Sequence, residues 1–398
     1  MDTIEKPQNI QQAQRFVGKV IGNKKGPTLI FFAGIHGNEP AGVTALEHIF
    51  EKLNTDTFQV QGAIYGVRGN IPALLEGKRF IDHDLNRLWT TERIAEIKSR
   101  SASNSSVEEL ELLKIEQAVL EILGFSAPPF YFIDFHTTSS KTLPFITIND
   151  ALINRKFSRL FPVPIILGIE EYLEGPLLSH MNQKGYVSLG FESGQHNEIA
   201  ATNNSIAFVW LTLVFAEVLY KSEVSDFDFY YNQLYQSAMG NSAFYEVRHR
   251  EELTDNDTFS MLKGFESFQK VKKGTPLAIK NKKMLLAEKN TILFMPLYQK
   301  QGADAFFRIS NTPKWALNFS ALLRKIKFDV ILTLLPGISW GNQKKESLMV
   351  NLTIARFFTK SFFHLLGYRN RKVDKTHILM ENRERTAKNK MYRTAFWY

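Results

Sequence analysis

A mixed α/β sheet flanked by helices is the fold that the first 220 residues predict. Three observations carry that expectation. Short apolar runs recur at intervals: Pro27-Thr-Leu-Ile-Phe-Phe-Ala33, Phe130-Tyr-Phe-Ile-Asp-Phe135 and Tyr186-Val-Ser-Leu-Gly-Phe191 read as buried strands. Helical spacing appears between them, as in Pro40–Leu53, where Val43, Leu46, Ile49, Phe50 and Leu53 share one face. Polar residues able to do chemistry follow the ends of three of these strands, which is where α/β sheets bind ligands.

The remaining elements follow in order. Val60–Val67 alternates as a second strand. Ser99–Ser106 is a polar loop, and Ser106-Val-Glu-Glu109 has the form of a capping box that opens a helix to about Leu123. Ala207–Tyr220, which includes Glu217, is the longest apolar stretch. Its 14 residues are too few to span a bilayer and predict a buried helix. Helical periodicity fades after Met239. Phe268–Ala278 and Thr291–Tyr298 read as strands of a small barrel or sandwich, with a turn at Lys273-Gly274-Thr-Pro276. From Pro313 onward, Lys314–Lys327 and Lys345–Leu366 read as helices separated by Pro336-Gly337. The expected division is a catalytic region 1–240, a small β-rich region 241–310 and a helical C-terminal extension 311–398.

Composition narrows the function classes. The 398 residues are 44% hydrophobic and 22% charged, which fits a globular chain and excludes a disordered or collagen-like one. There is no cysteine, so disulfides, thiolate ligands and a cysteine nucleophile are excluded. A metal site must then use His and carboxylate, a set that suits zinc or another divalent ion. The start, Met1 to Asn9, is polar with no apolar core, so no signal peptide is expected and the cytoplasm is the default location. The net charge of +9 is uneven: residues 311–398 hold 17 basic and 5 acidic side chains, a net of +12. That tail also carries Phe357, Phe358, Phe362, Phe363, Tyr368, Tyr392, Phe396, Trp397 and Tyr398. Such a pattern suits an anionic surface. It suits better an extension whose aromatics pack on the body with Lys and Arg on the wet face, so no nucleic-acid partner is expected. The last residues, Thr394–Tyr398, would pin the chain end to the body or to a second subunit of a homo-oligomer.

The three strand-end segments are Gly34-Ile-His36-Gly-Asn-Glu39-Pro-Ala-Gly42, Asp134-Phe-His136-Thr-Thr-Ser-Ser140 and Glu192-Ser-Gly-Gln-His196. A hydrolytic zinc ion needs three protein ligands and one open position. His36, Glu39 and His136 supply two imidazoles and a carboxylate, and the glycines beside His36 let the loop turn. Glu192 is the candidate general base for the activated water. His-x-x-Glu alone is weak, because it also occurs at His48/Glu51 and His249/Glu252. Only the first pair is bracketed by glycine and follows a buried strand. Asp134 either orients a ligand or is a satisfied core carboxylate. In the segment 69–87, Arg79 could hold a carboxylate or stabilise an oxyanion, while Asp82 and Asp84 with Arg79 and Arg87 could form an ordinary surface salt-bridge cluster.

These segments, with Gly69-Asn70-Ile-Pro72-Ala73 and Gly77-Lys-Arg79-Phe-Ile-Asp-His-Asp-Leu-Asn86-Arg87, resemble the succinylglutamate desuccinylase/aspartoacylase family over roughly residues 17–309. The resemblance implies a zinc-carboxypeptidase-like fold with a β-rich region covering the cleft. It implies hydrolysis of small N-acyl amino acids such as succinylglutamate or acetylaspartate, with one zinc per chain. By that match His36, Glu39 and His136 are the metal ligands, Glu192 the base and Arg79 the polariser of the scissile carbonyl. Asn70, Asn86 and Arg87 bind substrate, the last two through a carboxylate. Two positions depart from the aspartoacylase pattern. His180-Met-Asn182-Gln-Lys184 lacks a further substrate arginine, and Phe306-Phe307 lacks a phenolic hydroxyl. Competing readings are a zinc carboxypeptidase with an open cleft and a non-catalytic scaffold that binds an anionic surface through residues 311–398.

Overall fold

The computed structural model describes residues 14–343, 345–354, 360–372 and 376–398. Its main element is an 11-stranded mixed sheet. The order across it begins Phe16–Ile21, Gln61–Arg68, Lys24–Ala33, Phe130–Thr138, Val187–Gln195, Phe145–Ile148 and Ile165–Leu167. It continues through Phe244–Glu252, Asp304–Asn311, Thr291–Phe294 and Lys270–Val271. Lys24–Ala33, Phe130–Thr138 and Val187–Gln195 run parallel, so their carboxyl ends lie on one edge.

Those central strands are apolar on both faces because helices cover both. Leu29, Phe31 and Phe135 join a core with the helices Ala41–Thr55 and Ile199–Phe215, where Phe191 stacks on Phe208 at 3.9 Å. Ile30, Phe32 and Phe132 face Ile97, Ile115 and Met181 of the helices Thr91–Ser99, Val107–Phe125 and Leu177–Gln183. The helix from Val107 starts with the expected capping box, Ser106 and Glu109 reaching reciprocally to each other's backbone. The apolar stretch from Ala207 forms the end of the helix Ile199–Phe215. Among the described residues, no helix is long and apolar enough to cross a membrane.

The main sheet passes without a break into the β-rich region, because Phe244–Glu252 pairs parallel with Ile165–Leu167. Three further strands there, Phe259–Met261, Pro276–Lys280 and Lys283–Leu286, form a separate antiparallel sheet.

The extension departs from its helical expectation. Lys314–Lys325 is a helix, as its spacing predicts. Among the described residues of Lys345–Leu366, however, Ser347–Asn351 is a strand and Lys360–Leu365 is helical. Ser347–Asn351 pairs with Ile338–Trp340 and His377–Asn382, and Tyr368–Lys372 completes a four-stranded antiparallel sheet. The local period explains the difference. Leu348 and Val350 alternate into a small core with Leu323, Phe363 and Met380, a strand pattern inside a segment whose longer apolar spacing mimics a helix. Phe357 and Phe358 lie outside the described residues.

The chain end packs on the body. Tyr392 is fully buried; its hydroxyl donates to Phe130 O and accepts from Val187 N at 2.9 Å. Trp397 stands edge-on to Tyr131 and 5.2 Å from the ring of Phe157. Tyr392→Phe would leave two buried backbone groups without that partner, so a loss of about 1–3 kcal/mol in urea unfolding is expected with little change in m-value.

Candidate active site

Each strand end contributes for a local reason. After Ala33 the chain turns through Gly34 at φ +73° and enters the loop that carries His36 and Glu39. A Cβ on Gly37 would lie 2.0 Å from the backbone carbon of Ala73, so only glycine lets this loop lie against the helix Ile71–Glu76. The Gly37 N–H donates to Arg79 O at 3.1 Å and ties the loop to the next segment. On Phe130–Thr138, Asp134 and His136 are two residues apart and share a face. In the neighbouring strand Glu192 stands opposite His136 in register.

Glu39 is the hub. It is 3% exposed, and its Oε1 lies 2.9 Å from His36 Nδ1 while Oε2 lies 3.1 Å from His136 Nδ1. Oε2 also accepts the Thr137 N–H at 3.0 Å, and Oε1 faces Arg79 Nη1 at 3.3 Å. Both imidazoles give their other nitrogen to a carboxylate: His36 Nε2 is 3.0 Å from Asp84 Oδ1, and His136 Nε2 is 2.8 Å from Asp134 Oδ2. Of the two readings open for Asp134, the structure favours the orienting one. Arg79 closes the group with Nη2 on Asp84 Oδ2 at 3.1 Å.

The electrostatics call for positive charge. Burial raises the Glu39 pKa, but His36 and His136 outweigh it and hold the carboxyl well below its ordinary value. Burial likewise lowers the His136 pKa, yet Asp134 and Glu39 hold it well above the ordinary imidazole value. Asp84 is kept well below the carboxylate range, because His36 and Arg79 overcome its desolvation. Glu192 behaves in the opposite way. Burial, helped by Glu39 and Asp134, raises its carboxyl to about 8 against the pull of His136 and Arg79. Its Oε2 is buried without a protein partner.

His36, Glu39 and His136 each offer a ligand atom, all within 4.8 Å of one another. The donor set of two imidazole nitrogens and one carboxylate oxygen fits a divalent ion such as zinc. The carboxylates behind both imidazoles are the partners that fix tautomer and ring direction in such sites.

His36, Glu39, His136, Glu192, Arg79, Asn86 and Arg87 all line one cavity. Asn70 does not. It is fully buried away from the cavity, with Oδ1 accepting from Ala73 N at 3.3 Å and Nδ2 donating to Glu108 Oε1 at 2.9 Å. The expectation that it binds substrate is therefore corrected: its amide caps a helix and is consumed by that task. Asn86 sits beside His136, and its Oδ1 accepts the Leu177 N–H at 2.9 Å. Arg87 donates to Asp304 Oδ2 at 3.1 Å, and Arg250 bonds the other oxygen of the same carboxylate.

Several residues in or behind the cavity wall escaped the sequence reading. Asp84 was visible only as a member of a charged cluster. Asp304 sits in the β-rich region, 217 positions from Arg87. Met295, Leu297, Gln299 and Phe307 from that same region also line the cavity. His196 bridges the two regions, with Nδ1 2.7 Å from Thr137 Oγ1 and Nε2 3.2 Å from Gln299 Oε1. The neighbourhood without the expected arginine supplies no cation in its place. His180 is buried 5.9 Å from the Trp89 ring, and burial pushes its pKa down to about 4.

Comparison with known proteins bears on this arrangement. The profile of the succinylglutamate desuccinylase/aspartoacylase catalytic domain matches residues 25–174. The chain is 31% identical over 116 residues to a succinylglutamate desuccinylase of Pseudoalteromonas atlantica, a match covering 29% of this chain and 32% of that protein. The chain thus spans about a third of the length of that curated relative. Among solved structures, a succinylglutamate desuccinylase/aspartoacylase from Rhodobacter sphaeroides superposes with a TM-score of 0.55 at 15% identity, over 74% of this chain and 88% of the other. A product-bound ectoine utilization protein from Ruegeria pomeroyi does so with a TM-score of 0.53 at 16% identity, over 74% and 87%. At these identities the superpositions speak for the fold.

Removing a carboxylate behind an imidazole should loosen a metal held by this set without removing a ligand. Asp134→Ala and Asp84→Ala are each expected to weaken zinc affinity about 10–100-fold in chelator competition. His136→Ala should abolish stoichiometric binding.

Proposed function

Because residues 25–174 match the profile of the succinylglutamate desuccinylase/aspartoacylase catalytic domain, we propose that the chain is a zinc-dependent amidohydrolase that removes the acyl group from small N-acyl amino acids. The observation that carries this reading is the meeting of three ligand atoms within 4.8 Å, with Glu192 opposite His136 and Arg79 on Glu39.

A zinc ion held by His36, Glu39 and His136 supplies Lewis-acid activation of water and of the scissile carbonyl. The protein's own groups do the rest. Glu192 takes a proton from the attacking water as its oxygen bonds to the amide carbon. A carboxyl whose pKa is raised by burial holds that proton long enough to pass it on. The Arg79 guanidinium, kept charged by Asp84 and Glu39, faces the oxyanion that develops on the carbonyl. As the C–N bond breaks, Glu192 returns the proton to the nitrogen, and a carboxylate and a free amine leave. Asn86 and Arg87 are placed to hold a substrate carboxylate.

The residues from 295 to 307 that wall the cavity favour small substrates over the long peptides of a carboxypeptidase. The scaffold reading has less support. In the basic extension Arg324, Arg383 and Arg385 are engaged in ion pairs with Asp150, Glu384, Glu381 and Asp329.

Glu192→Gln is expected to bind zinc with wild-type stoichiometry and to lose about 10²–10⁴-fold in kcat. The assay is release of free amine from acetyl, succinyl and longer-acyl amino acids. Retained turnover in the variant would remove Glu192 as the base.

A further inference from the structure

The chemistry above uses only the end of the cavity next to Glu192. The cavity continues along the sheet. One row below His136 and Glu192 lie Asp134, Gly190 and Thr147, aligned across three strands. Here the floor is bare backbone, since a Cβ on Gly190 would fall 2.3 Å from Thr147 Oγ1. Beyond Thr147 the cavity ends at two segments. One is the corner Asn149-Asp150, where Ser179 Oγ donates to Asn149 Oδ1 at 3.2 Å. The other is the turn Ile169–Glu171, which sets Ile169 and Glu170 in the wall. The Asp150 N–H donates to Glu170 Oε1 at 3.2 Å and joins the two.

Both segments are gripped from behind by the C-terminal extension. The Arg324 side chain is fully buried; Nη1 donates to Asp150 O and Nη2 to Asp150 Oδ2, each at 2.8 Å. His364, in the helix Lys360–Leu365, stands between two carboxylates. Its Nε2 is 2.9 Å from Glu171 Oε1 and its Nδ1 is 3.2 Å from Glu246 Oε1. Arg324 Nη2 also donates to His364 O at 3.0 Å, so the two grips form one unit. The Glu171 side chain is 2% exposed, so its polar contacts, His364 among them, are what hold it in place.

We propose that the extension completes the substrate cavity, with His364 and Arg324 as positioning residues that hold the far wall and thereby set substrate selectivity. The proposal rests on the amidohydrolase reading for its kinetic consequence. His364 touches neither a metal ligand nor Glu192. Losing it removes one of the contacts behind the Ile169–Glu171 turn, which has no side-chain cap of its own, and loosens that turn. The distal part of a substrate is then held less well, while the reacting atoms stay where they were. The basic composition of 311–398 thus serves in part an internal purpose, the neutralising of buried carboxylates on the body.

The test compares His364→Ala and His364→Gln in the full chain, loaded with zinc. For the bulkiest acyl amino acid that the wild type accepts, the alanine variant should raise KM about tenfold while kcat stays within about twofold. Glutamine keeps an amide donor and should recover part of the loss. Hydrogen exchange gives a readout independent of turnover: amides of residues 165–173 should exchange about tenfold faster in His364→Ala, and those of 130–138 should not change. Unchanged exchange and unchanged KM would overturn the proposal. So would parallel loss of zinc, kcat and protection across the whole catalytic region, which would mark His364 as a general stability residue. If the wild type hydrolyses no N-acyl amino acid, the functional reading fails, and the exchange result still decides whether the extension holds the wall.

Discussion

The rest of the site depends on one buried carboxylate. Glu39 has both oxygens committed, one to each imidazole, and it lies within a cluster that also contains Asp84, Asp134 and Glu192. Arg79 alone cannot balance these charges. Isolated buried carboxylates cost several kcal/mol, so the cluster persists only with added positive charge. Asp134 and Glu39 hold His136 well above its ordinary imidazole pKa despite its burial. A divalent ion held there would supply a charge that does not leave at neutral pH. The raised Glu192 pKa has the same origin: Glu192 is the carboxyl whose desolvation no partner offsets enough, and a group of that kind can accept and return a proton.

A cluster of this sort must be built on rigid elements, and the parallel centre of the sheet supplies them. Asp134 follows the apolar run Phe130–Ile133 of its strand, where a lone carboxylate would be intolerable. His136 follows on the same face and takes up its charge within 2.8 Å. His36 and Glu39 need a sharper bend than a strand allows. Gly34 and Gly37 provide it by permitting a left-handed turn and a backbone contact at Ala73. The positions of the candidate ligands are thereby fixed by backbone packing around Phe31, Phe135 and Phe191.

Sequence reasoning reached the parts of this arrangement that are local. Buried strands show as apolar runs, the capping box at Ser106 shows in four residues, and the strand-end histidines stand out against their neighbours. Its failures share a cause. Asn70 sits in a motif beside Arg79 and Arg87, so proximity in sequence suggested substrate contact. Its partner is Glu108, 38 positions on, and no local pattern predicts that pairing. Arg87 with Asp304, and Arg324 with Asp150, are separated by 217 and 174 positions. In the extension, a five-residue strand whose burial alternates from Leu348 to Asn351 was hidden inside a longer stretch of helical spacing.

The linear division of the chain conceals how the cavity is assembled. The proposed metal ligands and base come from the first 240 residues, the lining from Met295 to Phe307 comes from the next part, and the far wall contacts the last. Chemistry and selectivity are thus assigned to different stretches of sequence, and one can change while the other is kept. Arg87 shows the principle at close range. It pairs with Asp304, which by itself would cancel its value for a substrate carboxylate. But Arg250 bonds the same aspartate while also pairing with Glu252, so Asp304 is shared between two guanidiniums rather than spent on Arg87 alone. Asp304 thereby fixes where the Arg87 guanidinium points at the cavity.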